Sequence, residues 1–151
     1  MKDKTKDVYT ANSSGMTVDD LHRFIEREFP QMLRAGFEIT RLDPHGLTVS
    51  LETGDRHLRP GGTISGPTLM TMADTGAYLL IMARLGPMAL AVTSNLEIHF
   101  LRKPRPGLLH ADCRVLKLGR RNAVLAVDLR SDQIAGSVAV ATVTYALPSS
   151  S

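Results

Sequence analysis

The residues best placed to do chemistry in this 151-residue chain lie on, and just before, one long apolar segment. Residues 68–84 are rich in Leu, Met and Ala and hold a single carboxylate, Asp74. Burying an ionisable group among apolar neighbours is costly unless it is paired, hydrogen-bonded or used. Thr71, Thr75 and Tyr78 give Asp74 a narrow polar stripe on an otherwise oily rod. Just upstream come Gly61, Gly62, Ser65 and Gly66, whose permissive backbone and free N–H groups at a helix start suit an oxyanion. A carboxylate beyond such donors can hold a water, or attack directly, while the donors take the charge growing on a carbonyl oxygen. That is the minimum equipment for acyl transfer to water. The competing reading is a core aspartate satisfied by a threonine or a neighbouring strand.

These residues need elements to position them. Residues 68–84 contain no proline, and Gly86 and Pro87 follow as stop signals, which predicts a helix. Its apolar residues cover every face, so it is buried. An earlier helix is predicted from Thr17 as cap, Asp19 and Asp20 in the first turn, and Leu21, Phe24 and Ile25 as an apolar stripe before Pro30. Residues 31–35 add one more turn, stopped by Gly36. Two strand patterns at 37–42 and 47–51 flank the turn residues Asp43 to Gly46. Four further segments alternate with period two, at 91–101, 108–118, 122–130 and 134–147, and read as a long antiparallel meander. Ala135, Gly136, Ala139 and Ala141 in the last of them would let a helix approach closely. The expected architecture is α+β: a curved antiparallel sheet wrapped around one long central helix, in a single domain over residues 16–148. Residues 1–15 hold little that is apolar and are expected to be a disordered lead-in.

The rest of the composition excludes more than it assigns. The formal charge of +3 comes from basic residues interspersed with Asp and Glu, and there are few aromatics and no Trp. A nucleic-acid platform is therefore not expected. The two local basic groups, Arg102, Lys103 and Arg105, and then Lys117, Arg120 and Arg121, suit one phosphorylated small molecule better. Cys113 stands alone, with no Cys or His partner at zinc spacing, so no metal is expected. Neither a membrane span nor a signal peptide is legible, and the expected location is the cytoplasm. His99 and His110 are lone strand histidines to which no role is given.

The stretch from His57 to Pro67, followed by MetAlaAsp at 72–74, resembles the hotdog-fold thioesterases of the phenylacetyl-CoA thioesterase (PaaI) type. The family pattern reads HxNxxGxxHGG, then a helix carrying LAD or LVD, and here the spacing to the aspartate matches without a gap. VTSNLEIHFLRKP, HADCRVLKLGRR and SVAVATVTYAL extend the resemblance over residues 37–147. It implies a hotdog fold and an acyl-CoA thioesterase without a cofactor, coenzyme A entering only as part of the substrate. It implies Asp74 as general base or nucleophile, the Gly66 N–H as the group polarising the thioester carbonyl, and Thr93 as the hydroxyl positioning the attacking water. It also implies an obligate homodimer, often paired into a homotetramer, with Asp from one subunit and the Thr strand partly from its neighbour. Coenzyme A phosphates would meet the turn Gly119, Arg120 and Arg121, and the acyl group would meet Thr75 and Tyr78.

Three positions depart from the pattern: Arg59 replaces Asn, Ser65 replaces His and Pro67 replaces the second Gly. Pro67 is compatible with a first helical turn, and Ser65 equally suits a plain N-cap. Arg59 could bond the thioester oxygen, clamp a carboxylated acyl group, or pair with Asp74. The last outcome would make a non-catalytic acyl-CoA-binding protein. A hotdog acyl-CoA dehydratase using His57 is a further alternative, although the spacing from His57 to Asp74 does not suit it.

Overall fold

The computed structural model describes residues 15–149. The expected disordered lead-in therefore lies, apart from Gly15, outside the described residues. Helix α1 (Val18–Glu28) opens on a reciprocal cap: Thr17 Oγ1 accepts from the Asp20 N–H at 3.1 Å, and Asp20 Oδ2 accepts from the Thr17 N–H at 3.0 Å. Leu21, Phe24 and Ile25 are buried as their spacing predicts. Phe29 ends α1, and Pro30 starts the short α2 (Pro30–Arg34), where a missing N–H costs nothing.

Strands β1 (Glu38–Asp43) and β2 (Gly46–Glu52) form the expected hairpin, closed by Asp43 Oδ1 accepting from the N–H groups of His45 and Gly46. After a single 3₁₀ turn at Asp55–His57 comes α3 (Gly66–Leu85), twenty residues or about 30 Å long. Then follow β3 (Val92–Phe100), β4 (Leu108–Leu118), β5 (Asn122–Ser131) and β6 (Ser137–Ala146).

The six strands form one antiparallel sheet in the order β1-β2-β4-β5-β6-β3. The meander expected over the last four strands therefore holds only for β4, β5 and β6. β3 pairs instead with β6, Thr93 opposite Tyr145 and Phe100 opposite Ala139, at the far edge. The reason lies in the link Leu101 to Gly107, whose Pro104 and Pro106 oppose a tight hairpin and favour an extended crossing. That crossing is fastened by Ile64 N–H to Pro104 O at 2.8 Å and by paired bonds between Thr53 and Gly107.

One face of the sheet packs on α3, through Leu47, Val49 and Leu51, Leu109, Ala111 and Cys113, and the inward residues of β5 and β6. The closest approach is at Gly76: a Cβ there would lie 2.5 Å from Cys113 Sγ and 3.3 Å from Val49 Cγ1. The expectation that small residues of the last strand admit the helix is met only in part. Ala139 and Ala141 are buried, but Ala135 and Gly136 are exposed in the turn before β6, where Gly136 has φ +83°. The glycine that lets helix and sheet meet belongs to the helix, and it faces β2 and β4.

Candidate active site

Because α3 begins two residues before the predicted start, Asp74 is its ninth residue and lies in the third turn. The N-terminal dipole, which fades beyond the first turn, gives it little support there. Hydroxyls hold it instead. Thr93 Oγ1 donates to Asp74 Oδ1 at 2.6 Å, and Tyr145 Oη donates to the same oxygen at 2.8 Å. Asp74 Oδ2 has no hydrogen-bond partner among the described residues. Thr93 thus meets the aspartate of its own chain, rather than waiting for a neighbour's.

Tyr145 is buried, and that burial, with the Asp74 charge beside it, pushes its phenol far above the ordinary tyrosine range. Its ring stacks on Tyr78 at 5.9 Å, and Tyr78 meets Phe29 edge-on at 6.5 Å. Burial and the Glu28 charge also raise the Tyr78 phenol. Phe29, Tyr78, Val92, Thr93 and Tyr145 line a cavity of about 370 Å³. Thr75 is half-buried and adds no hydrogen bond among the described residues.

At the other end of this arrangement Ser65 caps α3, its Oγ accepting from the Thr68 N–H at 3.3 Å, and Pro67 sits exposed in the first turn. The Gly66 N–H has no acceptor among the described residues. A Cβ on Gly66 would lie 3.3 Å from the Phe100 ring, so a larger residue would crowd this corner. Gly66, Arg59, Leu69, Phe100, Arg102 and Lys103 line a second cavity of about 300 Å³. Arg59 is exposed and forms no ion pair with Asp74 among the described residues. Eight residues of helix separate Gly66 from Asp74, a rise of about 12 Å. Within one chain these two groups cannot flank one carbonyl.

Gly119, Arg120 and Arg121 form the β4–β5 turn and line, with Lys117, Asn122 and Ser149, an open cavity of about 570 Å³. The Leu147 N–H bonds the Arg121 carbonyl at 2.8 Å, which holds this basic turn at the sheet end that carries Thr93 and Tyr145. His57 faces its own turn: Nδ1 accepts from the Gly54 N–H at 3.0 Å, while burial and the Arg56 charge lower the imidazole's basicity. Within one chain, no contact among the described residues brings it to Asp74 as a dehydratase would require.

Two features escaped the sequence reading. Tyr145 read only as a strand residue, although an inward position after Ala139, Ala141 and Val143 leaves its phenol needing a buried acceptor. The other is a row on the opposite face of the sheet. Thr40 Oγ1 lies 2.9 Å from Ser50 Oγ, Ser50 Oγ 2.7 Å from His110 Nδ1, and His110 Nε2 2.8 Å from Asp132 Oδ1.

A curved antiparallel sheet around one long helix, with a hydroxyl-bonded carboxylate on that helix, defines a hotdog-fold thioesterase architecture. The model of the thioesterase superfamily matches residues 61–137, and the chain belongs to that superfamily. A candidate esterase of Pseudomonas aeruginosa is 36% identical over 89 residues, which are 58% of this chain and 66%, just under two thirds, of that relative. The solved structure of a candidate thioesterase from Silicibacter sp. TM1040 is 40% identical, covers 92% of this chain and 96% of its own, and superposes with a TM-score of 0.81. A mutant of the phenylacetic acid degradation protein PaaI from Thermus thermophilus is 28% identical over 79% of this chain and 99% of its own, with a TM-score of 0.69. The resemblance to the PaaI-like branch is thereby supported. No helix among the described residues is long and apolar enough to cross a membrane.

Proposed function

We propose that this chain is an acyl-CoA thioesterase, hydrolysing a short- or medium-chain or aryl acyl-CoA to the free acid and coenzyme A. The observation that carries this reading is Asp74: one carboxylate oxygen held by two hydroxyls, those of Thr93 and Tyr145, which line an aromatic cavity, and the other oxygen without a partner among the described residues. As general base, Oδ2 takes a proton from water while the resulting hydroxide attacks the thioester carbon. The tetrahedral oxyanion is met by a Gly66 N–H, and its collapse breaks the C–S bond and expels the coenzyme A thiolate, which recovers the proton. As nucleophile, Oδ2 would itself attack the thioester carbon and break the C–S bond, expelling the coenzyme A thiolate and forming an anhydride that water then opens to the free acid and the Asp74 carboxylate.

The separation between Gly66 and Asp74 of one chain supports a site shared by two copies. β3 is an edge strand whose Val92 and Phe100 are exposed, as is Leu101 just beyond its end. Antiparallel pairing of two β3 edges about a two-fold axis brings the Phe100 and Gly66 end of one copy to the Thr93 and Asp74 end of the other. A homodimer, and its pairing into a homotetramer, form part of the proposal, with the Gly119 to Arg121 turn receiving coenzyme A phosphates. Arg59, Ser65 and Pro67 border the thioester from the Gly66 side, while Thr75 and Tyr78 border the acyl group. The binding-only reading has Arg59 neutralise Asp74; no such pair forms within one chain among the described residues, so in the shared site it would have to form between the two copies, and turnover of an acyl-CoA decides against it.

The test is free-thiol release from a panel of short, medium, long and aryl acyl-CoAs, with Asp74→Asn beside the wild type. Hydrolysis of at least one class, reduced about a hundredfold or more in the variant, is expected. Turnover of none of the panel, or a fully active variant, refutes the proposal.

A further inference from the structure

We infer that Tyr145 is a positioning residue that fixes the orientation of the Asp74 carboxylate, an inference that rests on the catalytic reading of Asp74. The phenol is 4% exposed and sits on the last strand directly opposite Thr93. Its single proton has two acceptors within reach, Asp74 Oδ1 at 2.8 Å and the Asp74 carbonyl at 3.2 Å, and the shorter contact is the bond. Thr93 supplies a second donor to the same Oδ1 at 2.6 Å.

Two donors on one oxygen have a consequence that one donor would not. A carboxylate bonded once can turn about its own axis and exchange its oxygens. Gripped from β3 and β6 together it cannot, so Oδ2 becomes the one oxygen offered to a reactant. Tyr145 is suited to this because its ring is clamped by stacking on Tyr78 at 5.9 Å. Burial and the neighbouring charge also keep its phenol protonated, and so donating, throughout the neutral range. Apolar Ala139, Ala141 and Val143 precede it on the same inward face, where a phenylalanine would pack as well. The hydroxyl is explained by what it bonds.

The experiment uses the full chain and the acyl-CoA that the wild type hydrolyses best, with Tyr145→Phe, Thr93→Val, the double variant and Asp74→Asn. Tyr145→Phe is expected to lower kcat about tenfold with KM within about twofold, as loss of one orienting bond to a charged group would do. The double variant is expected to lose less than the product of the two single losses, because the first loss already lets the carboxylate turn, and a loss equal to that product overturns the inference. If Asp74→Asn is inactive but Tyr145→Phe keeps wild-type kcat, the inference fails and the thioesterase reading stands. A rise in KM alone also overturns it, since that marks Tyr145 as a mere wall of the acyl cavity. If Asp74→Asn remains active, the reading of Asp74 fails first, whatever Tyr145 does. Should Tyr145→Phe not fold, 3,5-difluorotyrosine at position 145 keeps the ring and the hydroxyl, and its two small ring fluorines make that hydroxyl a stronger acid and so a different donor. It must then change kcat with KM unaltered, and an unchanged kcat overturns the inference.

Discussion

Two hydrogen-bonded rows of side chains lie on opposite sides of the same sheet, and the proposed function draws on only one of them. On the outer face, Ser50, His110 and Asp132 are the residue types of a hydrolytic triad, linked at 2.7 and 2.8 Å. Yet Ser50 is 3% exposed, and its Oγ is held between Thr40 and His110. On the helix side, Asp74 lacks the look of a triad, but its two donors, Thr93 and Tyr145, which line a cavity, both stop at Oδ1 and leave Oδ2 over. In the proposed function the reaction falls to Asp74 Oδ2, the oxygen left without a partner among the described residues. The Ser50 hydroxyl, buried and bonded on both sides, is read as structure.

Relative rates put the contrast between the two rows under the greatest strain. Ser50→Ala is expected to hydrolyse acyl-CoA within about twofold of wild type, against the loss of about a hundredfold or more for Asp74→Asn. Equal losses in a thiol-release assay would abolish the distinction between the two rows. The same Ser50→Ala variant should reveal what the outer row is for. Its removal leaves the part-buried His110 Nδ1 without that partner, and a urea titration should show about 1–2 kcal/mol of lost stability.

A more modest change is expected in a second outer row, in which Arg41 bonds Thr48 at 3.0 Å, Thr48 bonds Asp112 at 2.6 Å, and Arg130 bonds Asp112 at 2.6 Å. Burial alone would raise the Asp112 carboxyl, but the bonds from Arg130 and Thr48 outweigh it and hold the group below the usual carboxylate value. A lowered carboxyl contributes its stability above the unfolded value, about 3.9, and loses it as pH falls through the folded one. Asp112→Asn should therefore cost about 1 kcal/mol at pH 7 in urea titrations, with the gap from wild type shrinking below about pH 4.

Much of the fold was legible because periodicity and turn chemistry report on local structure. Residues 108–118 became a strand with the predicted bounds, and α1, α3 and the β1–β2 hairpin fall within a few residues of expectation. Strand order was not legible, because an alternating pattern says which face is buried and nothing about which neighbour is paired. Only the prolines at 104 and 106 hinted that β3 would leave β4. Within the site, the contact between Thr93 and Asp74 joins residues that a sequence keeps nineteen apart. Tyr145 stands seventy-one residues from the carboxylate it bonds, and only the register between β3 and β6 brings it there. The distance between Gly66 and Asp74 was open to arithmetic from the start, since eight helical residues always rise about 12 Å.

The seal between Gly76 and Cys113 also has a practical side. Cys113 is the sole cysteine of the chain, 1% exposed beneath the helix, and burial pushes its thiol far above the range in which thiolates form. The folded protein should therefore titrate zero equivalents with a thiol-counting dye such as Ellman's reagent, and one equivalent once denatured. The enzyme blank in a thioester assay is then silent, and a blank that begins to colour is a direct optical report that the helix has lifted from the sheet.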